Sequence, residues 1–174
     1  MTYRSPFTFQ GASEEIEALS GDAWLNSYTA DILNKLIRIC NDGNEGYQQA
    51  AALVKSPWLA RLFEDCAAQR GQFAVELSHL VSEMGITPAN GPTVGGALHR
   101  TWIDFRTAFV ADGTVGDVLQ ECDRGEDAAE QAYQDALEKA LPVPMQKVVQ
   151  SQYESIVKAH NQIRDLRNEF RREI

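Results

Sequence analysis

The chain has 174 residues, 44% of them apolar and 24% charged, with 16 basic side chains against 25 acidic ones and a net charge of -9. A single domain of this length buries roughly 70% of its unfolded surface, and so acidic a balance is the wrong sign for neutralising phosphates, which argues against nucleic acid and anionic membrane as partners. Three scattered cysteines, Cys40, Cys66 and Cys122, with no CxxC pair, exclude a disulfide framework and read as buried thiols.

Residues 1–27 read as an N-terminal extension, with a short helix over Ser13–Leu19 and Trp24 as an anchor. No apolar run there has signal-peptide length, and nowhere do about 18 apolar residues follow one another. A soluble, cytoplasmic chain is expected, with one bundle domain over 28–174.

The first long helix is predicted over Thr29–Val54, with Leu33, Leu36, Cys40, Tyr47, Ala51 and Val54 on one stripe. It runs through CNDGNEGY, Cys40 to Tyr47, whose glycines, asparagines and aspartate would ordinarily mark a turn. The apolar period continues across the stretch, so it reads as helix. Glycine inside a helix costs about 1 kcal/mol relative to alanine, and close approach of a neighbouring backbone or bulky side chain is the expected reason for it.

Ser56 and Pro57 form an N-cap and first-turn proline pair that opens a second helix, with Leu59, Leu62, Cys66, Phe73, Leu77 and Leu80 inward and Gly85 placed as a left-handed C-terminal cap. The connection from Gly85 to Thr114 is long enough to cross from one end of a bundle to the other, and its GGALHRTWIDFRTAFV stretch reads as a further helix. The third long helix is predicted over Val115–Ala140, and the fourth over Pro144–Arg172, with Met145, Val149, Ile156, Ile163 and Phe170 inward. The pattern is all-α: two antiparallel hairpins joined by a helix-containing crossover, in helices of about 26 residues and roughly 39 Å.

The third helix echoes the first. Cys122 follows Cys40, and Gly125 follows Gly43, at the same offset of 82 residues. At 100° per residue, Asn44 and its counterpart Glu126 lie about 40° from the cysteine, within the apolar stripe, while Glu45 and Asp127 lie about 140° away and face water. The partner helices also aim polar residues inward: Gln69 and Arg70 on the second, Gln152 and His160 on the fourth. Counting residues from each turn puts Asn44, Gln69, Arg70, Glu126 and His160 near one height. The acidic run Glu121 to Glu130 otherwise reads as a solvated face.

Two similar hairpins, a long crossover and an inward acid facing a histidine resemble the ferritin-like superfamily, whose di-iron members use Glu and Glu-x-x-His on each hairpin. More narrowly, CNDGNEGY, AAQRGQF, GALHRTWID, ECDRGEDA and AHNQIRDLR, over about Ile32 to Asn168, resemble a family of small bacterial ferritin-like four-helix-bundle proteins of unknown function. The resemblance implies a fold and no activity.

The di-iron pattern is incomplete. Asn44 stands at the inward slot of the first helix, Gln69 and Arg70 at that of the second, and Val157 where the Glu of Glu-x-x-His belongs. A literal Glu-x-x-His occurs at Glu76-Leu77-Ser78-His79, but His79 falls about 140° off the stripe. An arginine is always charged and carries five donors, so the expected core is Arg70 paired with Glu126 in place of metal, with Asn44, Gln69, Gln152 and His160 completing a polar layer. The function expected is structural, interaction or stress-associated, without catalytic residues or cofactor, in a homo-oligomer such as a dimer. The alternative is an iron- or manganese-binding or redox protein using Glu126 and His160, with Glu45, Glu76 or His79. A small-ligand pocket near His99 and Trp102 is a third reading.

Overall fold

The structure, a computed structural model, describes residues 10–91 and 114–172, with side chains from position 23 onward. Among the described residues there are four α-helices and no strand: α1 (Gln10–Leu53), α2 (Pro57–Glu83), α3 (Val115–Leu137) and α4 (Val143–Arg172). None is long and apolar enough to cross a membrane. The crossover helix expected after Gly91, with His99 and Trp102, lies outside the described residues.

Three helix boundaries have their capping chemistry in place. The Ser56 side chain accepts from the Leu59 N–H with Pro57 in the first turn. At the other end of α2, Gly85 has φ +72°, the Gly85 N–H donates to Ser82 O at 2.9 Å and the Ile86 N–H to Val81 O at 3.3 Å. These are the two bonds of a Schellman ending, and Ile86 packs back on the core. Thr114 and Asp117 form a reciprocal capping box before α3. CNDGNEGY is helical throughout.

One boundary differs. No proline interrupts the chain from Gln10 to Leu53, and the helix runs unbroken from one to the other, across the expected boundary at Tyr28. Trp24 is not an anchor: it is 66% exposed and stacks on Tyr28, with ring centroids 5.3 Å apart.

The hairpins α1/α2 and α3/α4 pack together chiefly through α1 against α3. Their core is in two parts. One cluster gathers Leu33, Leu36, Leu77, Tyr133, Val149 and Ile156, and the other gathers Tyr47, Leu59, Phe63, Leu119, Cys122 and Ile163. Between them each helix contributes its polar segment: 41–46 on α1, 68–71 on α2, 123–128 on α3 and 157–162 on α4. Two apolar halves thus enclose a polar layer at mid-height.

Candidate functional site: a polar layer with two centres

Arg70 and Glu126 are 1% and 2% exposed, as deeply buried as the leucines around them. From α2, the Arg70 side chain crosses the bundle past Gly43 of α1 to reach α3, where its Nη2 donates to both Glu126 oxygens, at 2.6 and 2.5 Å. Nη1 donates to Gln69 Oε1 at 2.8 Å, and the guanidinium carbon lies 5.8 Å from the Phe73 ring centroid. Tyr47 of α1 adds a third hydrogen bond to the carboxylate, its hydroxyl donating to Glu126 Oε1 at 2.6 Å.

Gly43, the first glycine of CNDGNEGY, leaves clearance for this crossing. A Cβ built at Gly43 would stand 3.3 Å from Arg70 Cγ and 3.4 Å from Cδ. Likewise a Cβ at Gly71 would meet the Asn44 amide nitrogen at 3.1 Å. A small cavity of about 20 Å³ beside the pair, bounded by Gly43, Tyr47, Cys122 and Gly125, has room for about one water.

Burial and charge shift the neighbouring groups. Burial works to lower the Arg70 pKa, but the Glu126 carboxylate with its hydrogen bond, together with Tyr47 and Cys40, outweighs it and the net direction is upward. Tyr47 is pushed well above the ordinary phenol range by burial, then by Glu126. Burial also raises Cys40 and Cys66 to about 11. Arg70 therefore stays charged, while the surrounding hydroxyl and thiols stay neutral.

The other residues expected in the layer divide. Gln69 joins Arg70, but Asn44 does not: its amide donates to the Ala67 carbonyl at 2.7 Å and accepts from Gln48 at 2.9 Å, tying α1 to α2. Gln152 belongs to a second string, accepting from the Tyr133 hydroxyl at 2.7 Å and donating to Glu76 at 2.8 Å. Tyr133 also meets the Cys40 sulfur at 3.1 Å.

His160 is at the expected height but on a different flank. Its ring is turned into the α3/α4 seam: Nδ1 lies 2.7 Å from Glu130 Oε2, and Nε2 3.5 Å from Asp123 Oδ1 and 3.3 Å from Asp127 Oδ1. Arg167 holds the other Asp123 oxygen. The acidic run is therefore not wholly a solvated face, since Asp123 is 5% exposed. Sequence did carry a signal for this cluster. Positions 123, 127 and 130 lie about 80–140° from Cys122 on one helical flank, opposite the one histidine of α4.

The supposed alternative ligands are scattered. His79 is exposed and pairs with Glu83, Glu76 serves Gln72 and Gln152, and Glu45 lies half-buried on α1. Both Glu126 oxygens accept from Arg70, while the Asn44 amide is engaged with the Ala67 carbonyl and the Gln69 amide with Arg70.

Residues 28–139 match the model of DUF2383, a domain of unknown function. The chain belongs to this family. A solved structure of a mutant of Dps1 from Mycobacterium smegmatis superposes with a TM-score of 0.65 at 16% identity, covering 81% of this chain and 95% of that one. At that identity the likeness shows the fold: an all-α, ferritin-like four-helix bundle. No curated protein matches the sequence.

Proposed function

We propose that this DUF2383 protein is a non-enzymatic ferritin-like bundle with a structural, interaction or stress-associated role, in which a fixed ion pair stands in the core where relatives of this fold would carry a di-iron centre. The observation that carries the reading is the contact of Arg70 Nη2 with both oxygens of Glu126. A guanidinium cannot be titrated away in a protein, so a cation entering this layer would have to displace a charge of its own sign.

Self-association in the cytoplasm completes the reading. The cytoplasmic part is supported by three buried free cysteines, and exposed Trp24 and Trp58 are residues that self-association would cover. A homodimer is the simplest assembly.

Protein purified without chelator tests the core. No dinuclear iron or manganese signal is expected, nor oxidation of added Fe(II) at a dinuclear site. A two-metal signal that disappears on Glu126→Gln would overturn the reading, whereas one ion held elsewhere leaves it intact. Native mass by light scattering tests the assembly, with twice the chain mass expected.

A further inference from the structure

We propose that Asp123, Asp127 and His160 form a mononuclear site for a first-row divalent cation of the zinc class, in the α3/α4 seam and separate from the Arg70–Glu126 pair. Asp123 Oδ1, Asp127 Oδ1 and a His160 ring nitrogen lie within 4.8 Å of one another. Asp123 and His160 are buried, whereas the Asp127 side chain is 66% exposed, which gives the site a floor and an open side.

Three details distinguish this cluster from an incidental group of charges. Asp123 Oδ1 is buried without a hydrogen-bond partner, although its other oxygen is held by Arg167. The open oxygen faces His160. The Nε2 distances of 3.5 and 3.3 Å are long for hydrogen bonds, but they match the edge of a tetrahedron with metal–ligand bonds of about 2.0–2.1 Å, which is roughly 3.4 Å. Finally, the 2.7 Å contact of Nδ1 with Glu130 supplies the outer carboxylate that metal-bound histidines commonly have. With the Nδ1 proton directed at Glu130, Nε2 presents its lone pair to the same point as the two aspartates.

Charge agrees with geometry. Three carboxylates and one guanidinium surround the imidazole, so a divalent ion balances what Arg167 leaves uncompensated. One nitrogen and two oxygen donors suit zinc, manganese or ferrous iron, and the nitrogen disfavours magnesium and calcium. The fourth position falls on the Asp127 side, where water reaches it. The assignment does not depend on how the Arg70 layer behaves, because the two centres share no ligand.

The test is calorimetric titration of the full, chelator-stripped chain with Zn2+, repeated with Co2+ to read coordination from its visible spectrum. One ion per chain is expected, with four-coordinate cobalt absorption. Asp123→Asn and His160→Gln should each weaken binding at least tenfold, and Glu130→Gln by about 10–100-fold. Asp127→Asn provides the variant that cannot threaten the fold, since the side chain is exposed, and it too should weaken binding tenfold or more. His79→Ala should change nothing, and the double variant Arg70→Met, Glu126→Gln should still bind one ion. No Zn2+ uptake at 100 μM (roughly, the weak end for a useful site), or uptake insensitive to Asp127→Asn, or uptake lost with His79→Ala, overturns the assignment.

Discussion

A single nitrogen of Arg70, Nη2, lies within hydrogen-bond reach of both Glu126 oxygens, joining α2 of one hairpin to α3 of the other. Removing two charges from water is costly, and their mutual attraction offsets that cost only while both remain. Arg70→Met should therefore destabilise the bundle by about 3–5 kcal/mol, because Glu126 is left charged in an apolar setting. Arg70→Met with Glu126→Gln should recover much of the loss. Urea denaturation of the single and double variants measures both, and a harmless single change would mean that the pair is not buried in solution.

The two glycines that mark the internal repeat are predicted to behave differently. At Gly125 an added Cβ meets nothing within 4 Å, while at Gly43 it presses on the Arg70 stem. Gly125→Ala should stabilise by about 0.5–1 kcal/mol through helix propensity. Gly43→Ala should gain less than that or lose stability, since Arg70 is anchored at its tip by Glu126 and Gln69. Parallel denaturation curves decide it: equal gains at both positions would remove Gly43's role as a clearance for Arg70.

These contrasts show what was legible in the sequence. Helix number, caps and the inward placement of Arg70 and Glu126 follow from periodicity and local chemistry, both of which are encoded within a few residues. Height along the bundle was legible too, because each hairpin fixes its own register. What period and height leave undetermined is the azimuth of a side chain near the edge of a stripe. His160 and Asn44 both stand at the right level, yet His160 turns into the α3/α4 seam and Asn44 bonds to the Ala67 carbonyl. Asp123 was read as solvent-facing because its neighbours in the chain are charged; its burial comes from α4, through His160 and Arg167. The continuation of α1 to Gln10 was missed because that segment's apolar period is weak, and no proline stops the helix.

The cysteines should be silent in the folded protein. Burial holds Cys40 and Cys66 near a pKa of about 11 and raises Cys122 well above the ordinary thiol range. Thiolate is the reacting form, so at pH 8 native protein should not react with Ellman's reagent over minutes, and all three thiols should appear together on denaturation. Labelling of one cysteine at a rate faster than global unfolding would reveal a local opening of the layer.

The capping box before α3 supplies a pH-dependent term of known sign. The Thr114 backbone N–H and hydroxyl each donate to Asp117 Oδ2 at 2.8 Å, and these bonds lower the Asp117 pKa. A carboxyl whose folded pKa lies below its unfolded value, about 3.9, contributes stability at higher pH and loses it as pH falls through the folded value. Asp117→Asn keeps the shape and removes the charge at the helix N-terminus, so it should cost about 0.3–1 kcal/mol at pH 7, the range for an exposed group there. That cost should shrink as the pH drops below about 4. Denaturant midpoints for wild type and variant between pH 3 and 7 provide the measurement. A difference that stays constant across this range would assign the effect to the amide's geometry and not to the charge of Asp117.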